Sequence, residues 1–303
     1  MRWVLTHRVV GVPAGDSCLK RPSNGSSRAI RHLHATKSVR ASTERAPTLT
    51  EWERAEAERS ASEALQTSEQ DLINSEKDLS RYLNPPSWSA YSLEFHYSRV
   101  GDVAGRRVLD LGSGSGMNAL YLARRGARVL ALDISPELLG LAIQRIHMHR
   151  VDGVSFALGS AHCLLVADQS VDLVFGNAIL HHLDLDVAPQ EIFRVLRPGG
   201  RALFKEPVQN SPTYQAIRRL IPYRARDVSP YERPLNDREL RAIAAPYRRS
   251  TIRAFALPHI RLVHTLFGGC HAVPRLYRLD AELLRAAPRL ERFAAVRVIE
   301  LVK

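Results

Sequence analysis

Short apolar runs alternate with longer amphipathic stretches through the middle and the end of the chain. The runs have the length of buried strands, and the stretches between them place apolar residues at helical spacing. The predicted strands lie at 107–111, 128–132, 153–158, 171–176, 200–206, 251–257 and 294–302. The predicted helices lie at 117–126, 136–149 and 187–197. This alternation indicates a mostly parallel sheet that is covered by helices on both faces.

The number and order of these elements predict a seven-stranded, doubly wound, Rossmann-like α/β sheet in a main domain at 87–303. Two segments, about 207–247 and 258–292, leave from the carboxyl ends of predicted strands. Ligands bind at that edge of an open α/β sheet, so we expect both segments to form helical lids over the ligand. Cations outnumber acids in both lids, which indicates either an anionic or phenolic small molecule beneath them or a solvated Arg-rich surface.

An N-terminal helical extension is expected at 46–86. Thr50-Glu-Trp-Glu53 matches a capping box, and Pro85-Pro86 ends the helical stretch. Leu65, Leu72 and Leu79 repeat every seven residues, but mostly polar residues stand between them. A coiled coil needs a longer pattern with two apolar positions per repeat. We therefore expect an amphipathic helix that lies on the main domain.

Residues 1–45 are interpreted as a disordered leader or an organelle transit peptide. They show no sustained periodicity, are rich in Arg and Ser, and carry a single acid, Asp16, before Arg40. A transit peptide would direct the chain to mitochondria or plastids, whereas a plain leader would leave it in the cytoplasm. Either way, we expect this segment to lie outside the fold.

The composition of the chain argues against several classes of binding partner. The formal net charge is +12, with basic ends around an acidic centre, but no basic stripe is interleaved with aromatic residues, which argues against nucleic-acid binding. No run of 18 apolar residues occurs, so no membrane span is expected.

Cys18, Cys163 and Cys270 lie far apart, and we expect three unpaired thiols. We expect no metal site, because neither the cysteines nor the histidines have ligand spacing.

A glycine loop follows the first predicted strand of the main domain. Gly112, Gly114 and Gly116 stand on alternate positions after Asp110, and Asp133 ends the next strand. A carboxylate at the position of Asp133 accepts hydrogen bonds from ribose hydroxyls. Asp110, beside the loop, is placed to meet a cationic amino group. The ligand therefore has a nucleoside at one end and an ammonium group at the other.

The spacing of the glycines separates two classes of nucleotide. The dinucleotide fingerprint has glycines at its first, third and sixth positions. Here the sixth position is Met117, which counts against an NAD-dependent oxidoreductase. S-adenosylmethionine has the required shape and carries no phosphate.

The order of motifs resembles class I S-adenosylmethionine-dependent methyltransferases, in their small-molecule branch of the methyltransferase type 11 kind. The motifs are Asp110-Leu-Gly-Ser-Gly-Ser-Gly116, Leu132-Asp-Ile-Ser-Pro136, Phe156-Ala-Leu-Gly-Ser-Ala161, Asp172-Leu-Val-Phe175, Leu180-His-His-Leu183 and Leu196-Arg-Pro-Gly-Gly200. The resemblance covers about residues 91–303. It implies methyl transfer from S-adenosylmethionine to O, N or C of a small metabolite. A non-catalytic module that binds the same cofactor is the alternative.

The resemblance also implies roles for individual residues. Asp110 and Gly112 would hold the methionine end, Asp133 the ribose, and Ile134 the adenine face. Ser160, where many relatives carry an acid, would meet the adenine edge. The full set of implied cofactor-binding residues is Asp110, Gly112, Ser113, Gly114, Gly116, Asp133, Ile134, Ser160, Ala161 and Asn177.

Two alternatives concern single residues. Asp133 is also a candidate N-cap of the next helix, but Ser135 fits that role better and leaves Asp133 free for a ligand. His181 and His182 follow the fourth predicted strand, so one of them is a candidate base for a protonated acceptor. The competing interpretation gives the histidine pair a structural role in the loop.

Overall fold

One mixed sheet carries all seven predicted strands. The computed structural model describes residues 10–11, 50–210, 232–260 and 273–303. The strands are β1 (Val10–Gly11), β2 (Arg107–Leu111), β3 (Arg128–Asp133), β4 (Val154–Leu158), β5 (Val171–Asn177), β6 (Leu196–Pro207), β7 (Arg249–Phe255) and β8 (Val296–Val302). β1, a two-residue strand from the N-terminal segment, is an eighth member that pairs in parallel with β4. The expectation that the whole leader lies outside the fold is therefore wrong for these two residues.

The order of strands creates a switch point beside the glycine loop. The order is β1-β4-β3-β2-β5-β6-β8-β7, with β1 to β6 parallel and the last two strands antiparallel to their neighbours. The chain runs outward from β2 to β3 and β4, then returns to the other side of β2 with β5. The carboxyl ends of β2 and β5 therefore flank the crevice in which such sheets bind ligands.

Eight helices flank the sheet within the described residues. They are α1 (Glu51–Gln66), α2 (Glu76–Leu83), α3 (Ser92–Ser98), α4 (Met117–Arg124), α5 (Pro136–Met148), α6 (Ala188–Val195), α7 (Asp237–Ala244) and α8 (Val273–Ala286). The three predicted helices of the main domain correspond to α4, α5 and α6. α7 lies within the predicted first lid and α8 within the second, and the rest of each lid is only partly described.

The predicted N-terminal helix is interrupted. The capping box at Thr50 and Glu53 is present, but α1 ends at Gln66, and a short 3-10 turn at Glu69–Leu72 separates it from α2. Of the three heptad leucines, Leu72 and Leu79 are buried, whereas Leu65 is 88% exposed. The break rotates the later leucines onto the main domain, so the seven-residue spacing does not define one continuous face.

The core lies on both faces of the sheet. Alternate strand residues enter two separate clusters, with Leu109 and Val174 on one face and Val108 and Leu173 on the other. Burial on both faces explains why the strands appear in the sequence as continuous apolar runs.

Two expectations from composition have structural outcomes. No helix in the described ranges is long and apolar enough to span a membrane. Cys163 is disulfide-bonded, so the expectation of three unpaired thiols is wrong for this residue. Spacing along the chain carries no signal for such a bond, because a disulfide depends on distance in the fold.

Candidate functional site

The three glycines of the loop after β2 have different structural tasks. All three have positive φ, at 67°, 52° and 81° for Gly112, Gly114 and Gly116. A Cβ at Gly112 would lie 2.5 Å from Ile179 Cδ1, and one at Gly116 would lie 2.8 Å from Ala142 Cβ. Gly112 thus lets the loop pass under the segment after β5, while Gly116 lets α4 approach α5.

Asp133, at the end of β3, holds the loop in place. Its side chain is buried and accepts hydrogen bonds from the backbone N–H groups of Gly114 (2.8 Å) and Ser135 (3.0 Å). Burial raises the pKa of Asp133, against the lowering effect of these hydrogen bonds. Ser135 is the N-cap of α5, through a bond from Leu138 N to its hydroxyl. Asp133 is therefore not the cap.

A cavity of about 390 Å³ lies over the glycine loop. The predicted residues that line it are Gly112, Ser113, Gly114, Asp133, Ile134, Ser160, Ala161, Asn177 and His182. Three predicted residues do not line it, namely Asp110, Gly116 and His181. Most residues of the separate motifs thus line one cavity, and they follow the carboxyl ends of β2, β3, β4 and β5.

Asp110 lies behind the wall of this cavity. It is fully buried, and Asn118, which does line the cavity, donates from Nδ2 to its Oδ1 at 3.3 Å. The Tyr97 hydroxyl donates to the amide oxygen of the same Asn118 at 2.6 Å. Burial raises the pKa of Asp110 to about 7, although the bond from Asn118 opposes the shift. Asn118 therefore stands between Asp110 and any ligand.

Helix α1 forms a second wall of the cavity, which the sequence analysis did not predict. Its contributing residues are Trp52, Glu53, Glu56, Arg59, Ser60 and Glu63. Glu53, Glu56, Ser60 and Glu63 follow the spacing of one helical face. This polar spacing is the sequence signal for the wall, whereas the heptad leucines indicate a different face of the helical stretch. The boundary predicted at residue 86 therefore divides two parts of the chain that share one cavity.

Glu53 ties α1 to the loop after β4. Its Oε1 lies 3.3 Å from His162 Nδ1, and the Ser160 hydroxyl accepts a bond from His162 N at 3.0 Å. Burial alone would raise the pKa of Glu53, but hydrogen bonds with His162, Ser160 and Thr50 outweigh it and lower the value to about 2. The cavity wall therefore contains an ionised carboxylate beside Ser160.

The histidine pair lies between this cavity and a second one. His181 Nδ1 donates to Glu206 Oε2 at 2.8 Å, and His182 Nδ1 lies 3.0 Å from Glu56 Oε2. His182 lines the first cavity, while His181 lines a neighbouring cavity of about 780 Å³ under α7. Trp52 borders both cavities and donates from Nε1 to the backbone oxygen of His182 at 2.7 Å.

Asn177 and Lys205 complete the side of the cavity at β5 and β6. The Lys205 ammonium donates to Asn177 Oδ1 at 3.3 Å, and burial lowers the pKa of Lys205. The bond orients the Asn177 amide, so that its NH₂ group is the donor left for a ligand.

Several known proteins with related sequences are methyltransferases. The family model described as a methyltransferase domain matches residues 109–204. The arsenite methyltransferase of Halobacterium salinarum is 34% identical over 117 residues, which make up 36% of this chain and 29% of that protein. The malonyl-[acyl-carrier protein] O-methyltransferase of Methylococcus capsulatus is 44% identical over 101 residues, or 32% of this chain and 36% of that protein.

A solved structure extends the likeness to the fold. Geranyl diphosphate C-methyltransferase from Streptomyces coelicolor A3(2), in complex with Mg²⁺, geranyl diphosphate and S-adenosyl-L-homocysteine, gives a TM-score of 0.53 at 17% identity. The match covers 84% of this chain and 97% of that chain. The chain spans less than half the length of the two curated relatives, and the solved structure adds the likeness of fold alone.

Proposed function

We propose that this chain, whose residues 109–204 match a methyltransferase domain, is a class I methyltransferase that transfers a methyl group from S-adenosylmethionine to a small-molecule acceptor. The observation that carries the proposal is the cavity at the carboxyl ends of the parallel strands. One wall combines the glycine loop, which lacks the glycine spacing of the dinucleotide fingerprint, with the Asp133 carboxylate that holds the loop.

The residues of the cavity fit this cofactor. Asp133 keeps lone pairs for ribose hydroxyls beyond its two backbone bonds, and Ile134 beside it offers an apolar surface for adenine. The buried Ser113 hydroxyl lines the cavity and has no hydrogen-bond partner in the described part of the chain, so a ligand there would satisfy it. When bound, S-adenosylmethionine supplies an electrophilic methyl group on a sulfonium sulfur.

Glu53 offers the carboxylate that the resemblance would place at position 160. Many relatives carry an acid there for the adenine amino group, whereas this chain has Ser160. Glu53 reaches the same place from α1 and is held ionised beside Ser160. We therefore assign Glu53 and Ser160 jointly to the adenine edge.

The protein contributes alignment and shielding to the transfer. In-line displacement at a sulfonium needs the acceptor atom behind the methyl group and little water in the path. Helix α1 forms one wall of the cavity, and Asn177, bonded to Lys205 of β6, forms part of another. We propose that the acceptor approaches from the side of Asn177 and the histidine pair.

The acceptor is proposed to be an anionic or phenolic small molecule, methylated at O, N or C. The excess of cations in both lids supports this choice. If the acceptor arrives protonated, His182 is the better placed of the two predicted bases, because it lines the cavity and His181 does not.

Calorimetry on the full chain tests the cofactor. We expect saturable binding of S-adenosylmethionine and none of NAD. Binding of NAD alone would support an oxidoreductase instead, and binding of neither would overturn both readings. A protein that binds S-adenosylmethionine but methylates nothing in a metabolite extract, followed by mass spectrometry, would be a non-catalytic module.

We propose that the location of the chain in the cell depends on whether its leader is a transit peptide. The proposal that residues 1–45 include a transit peptide rests on composition. Mass spectrometry of the chain recovered from organelles of the source organism would show a shortened N-terminus if it is correct. A full-length chain in the cytoplasm would overturn it.

A further inference from the structure

Two histidines and a glutamate converge between the two cavities. The ligand atoms of His181, His182 and Glu232 all lie within 4.8 Å of one another. His181 is buried, His182 is nearly so, and Glu232 is about a quarter exposed. The residues come from the turn after β5 and from the segment before α7, about fifty residues apart in the chain. Sequence spacing therefore gives no sign of the cluster.

His181 is held in the orientation of a metal ligand. The Glu206 carboxylate, fully buried at the end of β6, accepts bonds from the backbone N–H groups of Ile179 and Leu180 at 2.9 Å each. Its second oxygen accepts the Nδ1 proton of His181. The lone pair of that imidazole is thereby placed on Nε2, which faces Glu232. A carboxylate that fixes the far nitrogen is typical of metal-binding histidines.

The separations within the cluster suit a shared ion better than direct hydrogen bonds. His181 Nε2 lies 3.7 Å from Glu232 Oε1, and His182 Nδ1 lies 4.0 Å from Glu232 Oε2. Both distances exceed hydrogen-bond length. Ligands about 2.0–2.2 Å from a tetrahedral metal lie roughly 3.4 Å from each other, so small side-chain movements would close the site.

The surrounding charges favour a cation. Glu206 lies on one side of the histidine pair, and Glu56 of α1 lies on the other, 3.0 Å from His182 Nδ1. With Glu232 this makes three carboxylates around two imidazoles.

We propose that His181, His182 and Glu232 bind one divalent transition-metal ion, with Glu206 orienting the first histidine. Imidazole and carboxylate ligands together suit zinc and iron(II), and three protein ligands leave positions open for an exogenous oxygen. The histidines line the two cavities, so an acceptor oxygen can reach an open position from either. Binding of the ion does not depend on the proposed methyl transfer, whereas any effect of the ion on the acceptor rests on that function.

The proposal changes the role of the histidine pair. An ion bound there would withdraw charge from a coordinated hydroxyl and would favour loss of its proton to solvent. The predicted histidine base would then be unnecessary.

Cobalt(II) and zinc(II) titrations test the site. We use the untagged full chain, stripped with chelator, and follow d–d absorption of cobalt and the heat of zinc binding. We expect one ion per chain. Glu232→Gln should weaken binding at least tenfold, because it removes a charged ligand, while its partial exposure spares the fold. Glu282→Gln, on the exposed face of α8, is the matched control and should bind as the parent does.

Three outcomes decide the question. No saturable binding of either ion overturns the proposal, and so does binding that Glu232→Gln leaves unchanged while circular dichroism shows an intact fold. Tenfold weaker binding in Glu232→Gln alone supports it. Calorimetry with S-adenosylmethionine on the stripped protein is a separate measurement, so failure of the metal site and failure of the proposed function are distinguishable.

Discussion

Gly112 shows how one missing side chain shapes the cavity. Its φ of +67° resembles the +70° of Gly105, but a Cβ at Gly105 would have no neighbour within 4 Å, whereas one at Gly112 would overlap Ile179. Substitution at Gly105 therefore measures backbone strain alone, whereas substitution at Gly112 measures strain together with steric overlap.

We predict that Gly112→Ala destabilises the fold more than Gly105→Ala does. The strain common to both is about 1 kcal/mol, and the overlap at residue 112 adds about 1–3 kcal/mol. Urea unfolding of both variants and the parent measures the difference. Equal losses would show that Ile179 moves aside at little cost.

Asp133→Ala is predicted to lose cofactor affinity by at least about 100-fold. Two hydrogen bonds that ribose hydroxyls donate to a carboxylate are worth about 1.5–3 kcal/mol each, or about 3–6 kcal/mol together. Because the side chain also holds Gly114 and Ser135, the melting temperature has to be measured alongside. Unchanged calorimetric affinity would remove Asp133 from the ribose site.

Asp110 should make the protein less stable as the pH rises. Its folded-state pKa of about 7 exceeds the ordinary value of 3.8, so the native state retains a proton that the unfolded chain releases. Protonated Asp110 thus contributes on the order of 4 kcal/mol to the free energy of unfolding. This contribution is fully present below pH 4 and is lost as the pH rises through 7.

Replacement of Asp110 by Asn should flatten this dependence. Urea unfolding between pH 4.5 and 7.5 compares Asp110→Asn with Asp152→Asn, whose side chain is exposed. Parallel curves for Asp110→Asn and the parent would contradict the raised pKa.

At the scale of residues, sequence patterns predicted that the loop and Asp133 lie at one cavity, because both stand at the ends of strands. The patterns did not reveal that Asn118 lies in front of Asp110. Whether Asp110 reaches the cavity depends on how α4, which carries Asn118, packs over β2. A linear motif contains no information on that packing.

Among the elements, α1 differed most from expectation. The heptad leucines suggested a face toward the main domain, yet the residues that meet the cavity are polar and begin with Trp52 and Glu53. Hydrophobic spacing predicts burial against an apolar core, whereas this helix packs across a polar cavity. The sequence shows the polar face of α1, but it does not show that this face meets a cavity.

Glu53→Gln tests how α1 is attached. A pKa of about 2 in the folded state, below the ordinary 4.5, means that ionised Glu53 stabilises the protein above pH 4.5 and that this contribution disappears as the pH falls through 2. The loss in Glu53→Gln at pH 7 should be about 2–3 kcal/mol.

The control for this variant is Glu51→Gln, in the same turn of α1 but exposed. It should change the free energy of unfolding by less than about 0.5 kcal/mol. Thermal unfolding at pH 7 that shows the same loss in both variants would mean that His162 and Ser160 do not anchor the helix.

For the whole molecule, the sheet was predictable because strands buried on both faces leave a strong apolar signal. The strand Val10–Gly11 was not, since two residues are too few to form a pattern. The metal cluster lay equally beyond prediction, because the fold alone brings Glu232 to the histidine pair.

Trp52 should report cofactor binding through its fluorescence. It borders the cavity, whereas Trp88 is 73% exposed. Adding S-adenosylhomocysteine to the full chain should change the emission of the parent and of Trp88→Phe, but not that of Trp52→Phe. A response that survives in Trp52→Phe would place the ligand away from α1.

The position of α1 also has a kinetic consequence. The helix lies over the glycine loop and is held by Glu53 and by the Trp52 indole on the His182 carbonyl. Because α1 forms a wall of the cavity, we expect the residence time of a bound ligand to depend on how often this helix detaches. Affinity depends instead on Asp133, the loop and the adenine contact of Glu53. Substitutions in α1 that spare Glu53 would therefore speed product exchange while leaving the ribose contacts unchanged.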